Sequence, residues 1–367
     1  MTQRNNLRTG GEVTRISYMG TGSTRFTRLP ILSWIKLVVK TLTVSAIAIA
    51  IGAAFTAAGT KQRASQAETN YPPLGSFVEV TGGKVHYVQE GRGPHLILLN
   101  GAGGNLREFT FDLMGRLTDR YTVTAFDRPG LGYTDRVPYV ENGLTEVEGA
   151  SPLDQANMLR EAATELGITD PIVGGHSYGG IVALAWALLG LDEDAQVNAK
   201  SVVSLAGVAM PWPGELDPYY TVNGSAFGGV VTIPLLSALV PQSIVLRRIE
   251  GTFAPQTEPA GYSDYIGTDL TLRTESMRAN IRQVNTLRPH VVEMAKRYPE
   301  LTLPIEFVHG EDDETVPIHI HAEEIEKIVS QVNVSRLPGV GHMPHHAEPQ
   351  SVIAAIDRAA ARAGLTP

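Results

Sequence analysis

There is no cysteine in this 367-residue chain, which excludes a thiol nucleophile, disulfides, an iron–sulfur cluster and any zinc site built on thiolates. Basic residues are scarce over most of its length as well. Nine of the 30 Lys and Arg fall within residues 1–64, beside the single acid Glu12, so residues 65–367 hold 21 basic against 37 acidic residues, a net charge of −16. So acidic a body has no clustered cations with which to displace the counterions of a nucleic acid, and that class of partner is excluded. Charged residues are only 19% of the chain and aromatics 7%, but hydrophobic residues reach 43%. That balance rules out a disordered, collagen-like or coiled-coil protein and leaves a folded globular one.

Thr41–Thr60 (TLTVSAIAIAIGAAFTAAGT) is twenty residues without a charge, enough as a helix to cross a hydrocarbon core of about 30 Å. Arg4, Arg8, Arg15, Arg25, Arg28, Lys36 and Lys40 precede it. By the positive-inside rule, residues 1–40 form a basic cytoplasmic segment and the rest of the chain is exported, on the periplasmic or extracellular side. Two readings compete with this anchor: a signal peptide cleaved near Ser65-Gln66-Ala67, its n-region short only if translation starts at Met19, and a buried or peripheral helix. Residues 61–75 (KQRASQAETNYPPLG), polar and then Pro/Gly-rich, read as a linker.

Beyond the linker, Ser76–Thr81 and Lys84–Glu90 flank Gly82-Gly83 and predict a hairpin. His95–Leu99, Thr122–Phe126, Pro171–Gly174, Ser201–Leu205 and Ile305–His309 are short, apolar runs that suit parallel strands buried on both faces, and Val332–Leu337 is another strand-like run. Helix-like stretches alternate with them at Pro152–Leu166, Ser177–Leu189, Ile318–Val329 and Pro349–Ala363. The pattern predicts an α/β fold: a mostly parallel, doubly wound sheet with an antiparallel hairpin in front. The rhythm breaks between Val208 and about Tyr298, where eight prolines fall and no buried-strand pattern recurs. We divide the body into a first core part at 76–208, an insertion at 209–297 and a second core part at 298–367.

Gly175-His176-Ser177-Tyr178-Gly179 follows a predicted strand and opens a predicted helix, the context of a nucleophile elbow. A seryl hydroxyl near its free pKa is a poor nucleophile, so Ser177 needs a base, and the base an orienting acid. Gly310–Pro317, just beyond an apolar strand, offers Glu311, Asp312, Asp313 and Glu314; Gly339–His342 follows another strand and offers His342, with His345 and His346 as competitors. The order Ser177, Asp313, His342 places each group at the C-terminal end of a predicted strand, where open α/β sheets bind ligands. Two backbone N–H donors for an oxyanion come from Tyr178, next to the nucleophile, and from Ala102 in the glycine-rich loop Leu99–Asn105. His319, His321, His342, His345 and His346 lack a zinc-ligand spacing and read as surface histidines around one loop. Gly101–Gly104 lacks the Lys-Ser/Thr end of a phosphate loop, so neither metal nor cofactor is implied.

With these residues in place the body, roughly 72–364, resembles the α/β-hydrolase superfamily, in the branch with a cap inserted after the sixth strand. Asp127-Arg128-Pro129-Gly130-Leu131-Gly132-Tyr133 is similar to the family's DRPGxGxS turn, and Gly341-His342 is followed by Glu348-Pro349 as in its members. The resemblance implies an eight-stranded sheet, a helical cap over the triad, a loop-tying role for Asp127, and Asp313 rather than Asp312 as the acid. Two positions depart from the pattern: Asn100 stands where His is usual, and Ser177 where the related haloalkane dehalogenases and epoxide hydrolases carry Asp. A seryl nucleophile implies an acyl carbon and an acyl-enzyme, hence an esterase, lipase or thioesterase. A cofactor-free perhydrolase or haloperoxidase-like enzyme and a non-catalytic binding protein of the same fold are the alternatives. Ala226–Val240 and the aromatics Trp212, Tyr219, Tyr220, Phe253, Tyr262 and Tyr265 point to a small hydrophobic substrate or else to the insertion's own core.

Overall fold

The computed structural model describes residues 31–140, 143–192 and 197–366, so most of the basic N-terminal segment lies outside the described residues. The chain divides into two compact units, one up to Ala53 and one from Ala54 to Pro367. Helix α1 spans Ile31–Asn70. It is long and apolar enough to cross a membrane, and side chains such as Ile35, Leu42, Ile49 and Phe55 along it are exposed. The stretch expected to be a linker is helical up to Asn70, because KQRASQAETN contains neither Gly nor Pro and is made largely of good helix formers; Pro72-Pro73 then prevents continuation.

Eight strands form one sheet: β1 (Ser76–Val80), β2 (Gly83–Gly91), β3 (His95–Leu99), β4 (Thr122–Phe126), β5 (Ile172–His176), β6 (Ser201–Leu205), β7 (Ile305–Gly310) and β8 (Val332–Leu337). Their order is β1-β2-β4-β3-β5-β6-β7-β8. β2 runs antiparallel to β1 and β4, and every other pairing is parallel. The parallel strands other than the edge strand β8 are buried on both faces because helices cover both. α3 (Pro152–Glu165) and α4 (Tyr178–Asp192) pack with β3, β5 and β6 in one core cluster; α14 (Pro349–Arg362) packs in a second with Leu96, Leu98, Val123 and Val308. α2 (Arg107–Thr110), α12 (Ala322–Ile328) and α13 (Pro344–Ala347) are short connectors. α3 starts where Ser151 accepts from the Asp154 amide and Asp154 reaches back to the Ser151 amide, with Pro152 in the first turn. Such a cap stabilises a helix start by about 1 kcal/mol.

Between β6 and β7 the expected insertion consists of α5 (Pro218–Asn223), α6 (Ile233–Leu239), α7 (Gln242–Thr252), α8 (Tyr262–Ile266), α9 (Thr268–Thr271), α10 (Thr274–Asn285) and α11 (Leu287–Arg297). Its core is built on Ile233, Leu272, Met277 and Ile281. The apolar run Ala226–Val240 divides between two environments: Ile233 is buried there with Leu236 against it, while Phe227, Leu235 and Leu239 face outward.

Candidate active site

Ser177 sits between the last residue of β5 and the first of α4 with φ of +52°, a left-handed conformation that a non-glycine residue adopts only when its surroundings hold it there. Its N–H donates to the Leu205 carbonyl at 2.9 Å, and its own carbonyl accepts from Gly180 and Val208. The flanking glycines are sterically obligatory. A Cβ on Gly175 would collide with the Gly179 carbonyl, and one on Gly179 with the Leu99 carbonyl, so strand, turn and helix could not close this tightly.

Nδ1 of His342 lies 2.8 Å from Oδ2 of Asp313, and both side chains are buried. Of the four acids after β7, Glu311, Asp312 and Glu314 are exposed and Asp313 alone is buried. The other carboxylate oxygen of Asp313 accepts from the amides of Thr315 and Val316, each at 2.9 Å. Burial pushes the Asp313 carboxyl up, but the hydrogen bonds of His309, His342 and the Val316 amide outweigh it and hold the group well below the usual carboxylate range. Burial lowers the His342 pKa, with Asp313 opposing and the neighbouring His176 adding to the fall, so the imidazole is neutral near pH 7. Among the described residues no hydrogen bond joins Ser177 Oγ to His342, an interaction often loose until substrate binds.

The loop after β3 is held from several sides. Gly101 N–H donates to Glu108 Oε2 at 3.1 Å, Gly103 N–H to Asn280 Oδ1 at 2.7 Å, and Gly104 N–H to the Gly101 carbonyl at 3.3 Å. The Ala102 amide has no acceptor among the described hydrogen bonds. Asn100, in place of the usual His, donates to the Gly101 carbonyl and accepts from the Arg128 amide, while the Arg128 guanidinium donates to the carbonyls of Asn100 and Gly101. Arg128 also stacks over the Tyr178 ring at 4.3 Å, which turns that side chain into the core. Asp127 ties loops together as the resemblance implied: its carboxylate accepts from the amides of Leu106 and Tyr133 and meets His86 Nδ1, each at 2.7 Å.

A buried cluster beneath the elbow went unread in the sequence. Glu108 Oε1 makes a 2.5 Å ion-pair contact with Nδ1 of His176, whose Nε2 lies 2.9 Å from the His342 carbonyl oxygen. Both neighbours are oxygen atoms, so the surroundings of the ring favour its protonated form. Burial disfavours the charge on each partner, yet their mutual attraction raises the His176 pKa and lowers that of Glu108. His345 Nε2 stands 3.4 Å from the same carboxylate oxygen, and burial pushes that imidazole well below its ordinary pKa. Glu108, His176 and His345 bring their ligand atoms within 4.8 Å of one another. Tetrahedral zinc ligands stand roughly 3.3 Å apart, however, wider than the 2.5 Å contact between Glu108 and His176. The sequence offered only one hint, that His176 adjoins Ser177.

The expectation of surface histidines fails for His321, His342 and His345, which are buried; His319 is exposed. His321 is held by core packing and by the amides of Ala209 and Met210, which donate to its Nδ1, while burial lowers its pKa to about 4. A cavity of about 930 Å³ opens beside Asp313 and His342, with Thr252, Ala254 and Pro255 of the insertion on one wall and Glu311 and Glu314 at its edge.

Residues 96–355 match the model of the alpha/beta hydrolase family. An uncharacterised protein of Mycobacterium tuberculosis is 27% identical over 295 residues, 78% of this chain and 81% of that protein. Among solved structures, an alpha/beta hydrolase fold protein from Burkholderia ambifaria superposes with a TM-score of 0.62 at 20% identity, covering 77% of this chain and 97% of that one. A membrane phospholipase A described as a bacterial virulence factor superposes with a TM-score of 0.55 at 17% identity, covering 88% and 98%. With a family model covering most of its length and an eight-stranded sheet to match, the chain belongs to the alpha/beta hydrolase family.

Proposed function

We propose that this hydrolase cleaves an ester or thioester of a hydrophobic acyl or aryl substrate through an acyl-enzyme on Ser177. The observation that carries the reading is the buried Asp313–His342 pair on the same sheet edge as a seryl residue in a left-handed elbow. Nε2 of His342 takes the Ser177 proton as Oγ adds to the acyl carbon, and Asp313 stabilises the imidazolium that forms. The amides of Tyr178 and Ala102 receive the oxyanion, and Tyr178 stands at the positive end of the α4 dipole. His342 returns the proton to the departing alcohol or thiol. Water, deprotonated by the same imidazole, then releases the carboxylic acid and restores Ser177. The insertion acts as a cap: Thr252 and Pro255 border the cavity, and Asn280 pins the oxyanion loop. Exposed Glu311 and Glu314 at the cavity edge favour release of an anionic product. α1 anchors the protein in a membrane, with the basic N-terminal segment on the cytoplasmic side.

A fluorophosphonate probe, read by intact mass on the full chain in detergent, tests the reading. One adduct on the wild type and none on a folded Ser177→Ala variant supports it; equal labelling of both, or none on the wild type with p-nitrophenyl esters left uncleaved, overturns it.

A further inference from the structure

Residues 218–246 contain no Asp, Glu, Lys, Arg or His, a 29-residue charge-free stretch on the surface of an otherwise acidic body. Part of it supplies the insertion's core, since Ile233 and Ser237, one turn apart on α6, are buried. The opposite side of α6 is apolar too. Leu235 and Leu239 project outward with 40% and 66% of their surface exposed, continued by Phe227 at 64%, Val230 and Val231 in the preceding π-helical turn, and by Ile244. Leu235 and Leu239 also form one wall of an almost wholly apolar groove of about 530 Å³, with Tyr219 and Pro241 among the other lining residues. A contiguous exposed apolar surface of this kind marks a partner or a membrane.

The place where α1 meets this helix identifies the partner. The charge-free span of α1 ends at Thr60, and Lys61 and Arg63 follow. Arg63 Nη1 donates to the Ser237 carbonyl at 3.0 Å, and a Cβ on Gly59 would be in ordinary van der Waals contact with Ala238. α6 therefore lies at the level where α1 passes from apolar to basic sequence, the level of lipid headgroups for a membrane-spanning helix. At the other end of the stretch Arg247 and Arg248 are exposed, and the Arg248 guanidinium lies 5.9 Å from the Tyr219 ring at the groove. Four cations, against the exposed acid Asp217 immediately before the stretch, thus flank the apolar surface in a body whose net charge would otherwise oppose an anionic bilayer.

We infer that the outer face of α6 and the turn before it lie in the bilayer interface, beside the point where α1 emerges, and that the groove admits the acyl chain of a membrane lipid. The inference rests on the reading of α1 as a membrane span. It sets the substrate class as a lipid ester presented by the bilayer rather than a freely soluble ester.

The absence of cysteine makes the test clean. Single cysteines replacing Leu235, Leu239, Phe55 and, as an aqueous control, Tyr139 are labelled with an environment-sensitive nitrobenzoxadiazole dye. The full chain is reconstituted into vesicles of phosphatidylcholine and phosphatidylglycerol. Labels at 235 and 239 that shift to shorter wavelength, are quenched by doxyl lipid and are shielded from iodide support the inference. Labels there that iodide quenches and doxyl lipid does not overturn it, as do labels shielded from both quenchers, which a second copy of the chain would produce. The label at 55 separates the two readings: iodide quenching at 55 removes the anchor, while the face on α6 is still decided by its own labels. As an activity readout, Phe227→Asp with Val230→Asp, on the same exposed face but outside the groove lining, lowers turnover of a vesicle-embedded ester about tenfold or more and leaves a soluble short-chain ester unaffected. Equal loss on both substrates, or loss on neither, counts against it.

Discussion

The Glu108 carboxylate and the His176 ring form one buried pair that reaches both loops flanking Ser177: Glu108 holds the Gly101 amide, and His176 holds the His342 carbonyl. The two imidazoles lie 4.8 Å apart between ring centroids, so a cation on His176 opposes a second cation on His342. Asp313 favours the His342 imidazolium, whereas His309 is a further neighbour that opposes it. Glu108 in turn faces His346, Arg128 and Tyr262 as well as His176 and His345.

The first prediction follows from that charge. His176→Gln keeps a donor for the His342 carbonyl but removes the cation, so the His342 pKa rises and the acidic limb of kcat/KM moves to higher pH. Glu108→Gln, which deprives His176 of the anion that keeps it protonated, shifts the limb the same way. A pH profile of p-nitrophenyl ester hydrolysis reads this directly, and a limb that stays in place for both variants refutes the coupling. Loss of packing alone would lower the plateau without moving the limb.

Gly179→Ala tests the elbow. The added methyl meets the carbonyls of Leu99 and Asn100, so either the helix start or the oxyanion loop must shift. Forcing a methyl into so tight a site costs on the order of 1–3 kcal/mol, visible as a fall in Tm. Activity is expected to fall further than stability, since the displaced atoms bracket the site.

The strands were legible because parallel pairing buries both faces, leaving apolar runs such as His95–Leu99 and Ser201–Leu205 without a polar alternation; both match the observed strands residue for residue. Ser177, Asp313 and His342 were singled out through chain order and the glycines around them, and the structure joins Asp313 to His342. Glu108 was not, because a carboxylate in a short helix has no local signature of burial, and its partners come from residues 176 and 345. The end of α1 was misread for a local reason. Polarity suggested a linker, yet Lys61–Asn70 contains no residue that stops a helix, and Ala67 is buried.

Asn280 reaches from α10 to the Gly103 amide at 2.7 Å, next to the Ala102 amide assigned to the oxyanion. Asn280→Ala frees the loop without touching Ser177 or His342. We expect kcat to fall about tenfold, less than the loss of a donor itself, with KM for a short-chain ester nearly unchanged. A change confined to KM would place Asn280 in substrate binding instead.

Asp313→Asn separates the architecture of the acid loop from its chemistry. One carboxylate oxygen accepts from the Thr315 and Val316 amides, and the amide oxygen of Asn preserves both bonds. The other faces Nδ1 of His342, where the Asn NH₂ can only donate. Nδ1 must then be the bare nitrogen, and the proton moves to Nε2, the atom that has to accept from Ser177. The variant is expected to fold with a Tm close to wild type and to lose about 10⁴ in kcat, the size of effect that a wrong histidine tautomer produces in serine hydrolases. The Tm reading guards against misfolding, and slower fluorophosphonate labelling of Ser177 gives the same answer without a substrate. If kcat falls by less than about tenfold while the fold is intact, Asp313 is not the orienting acid.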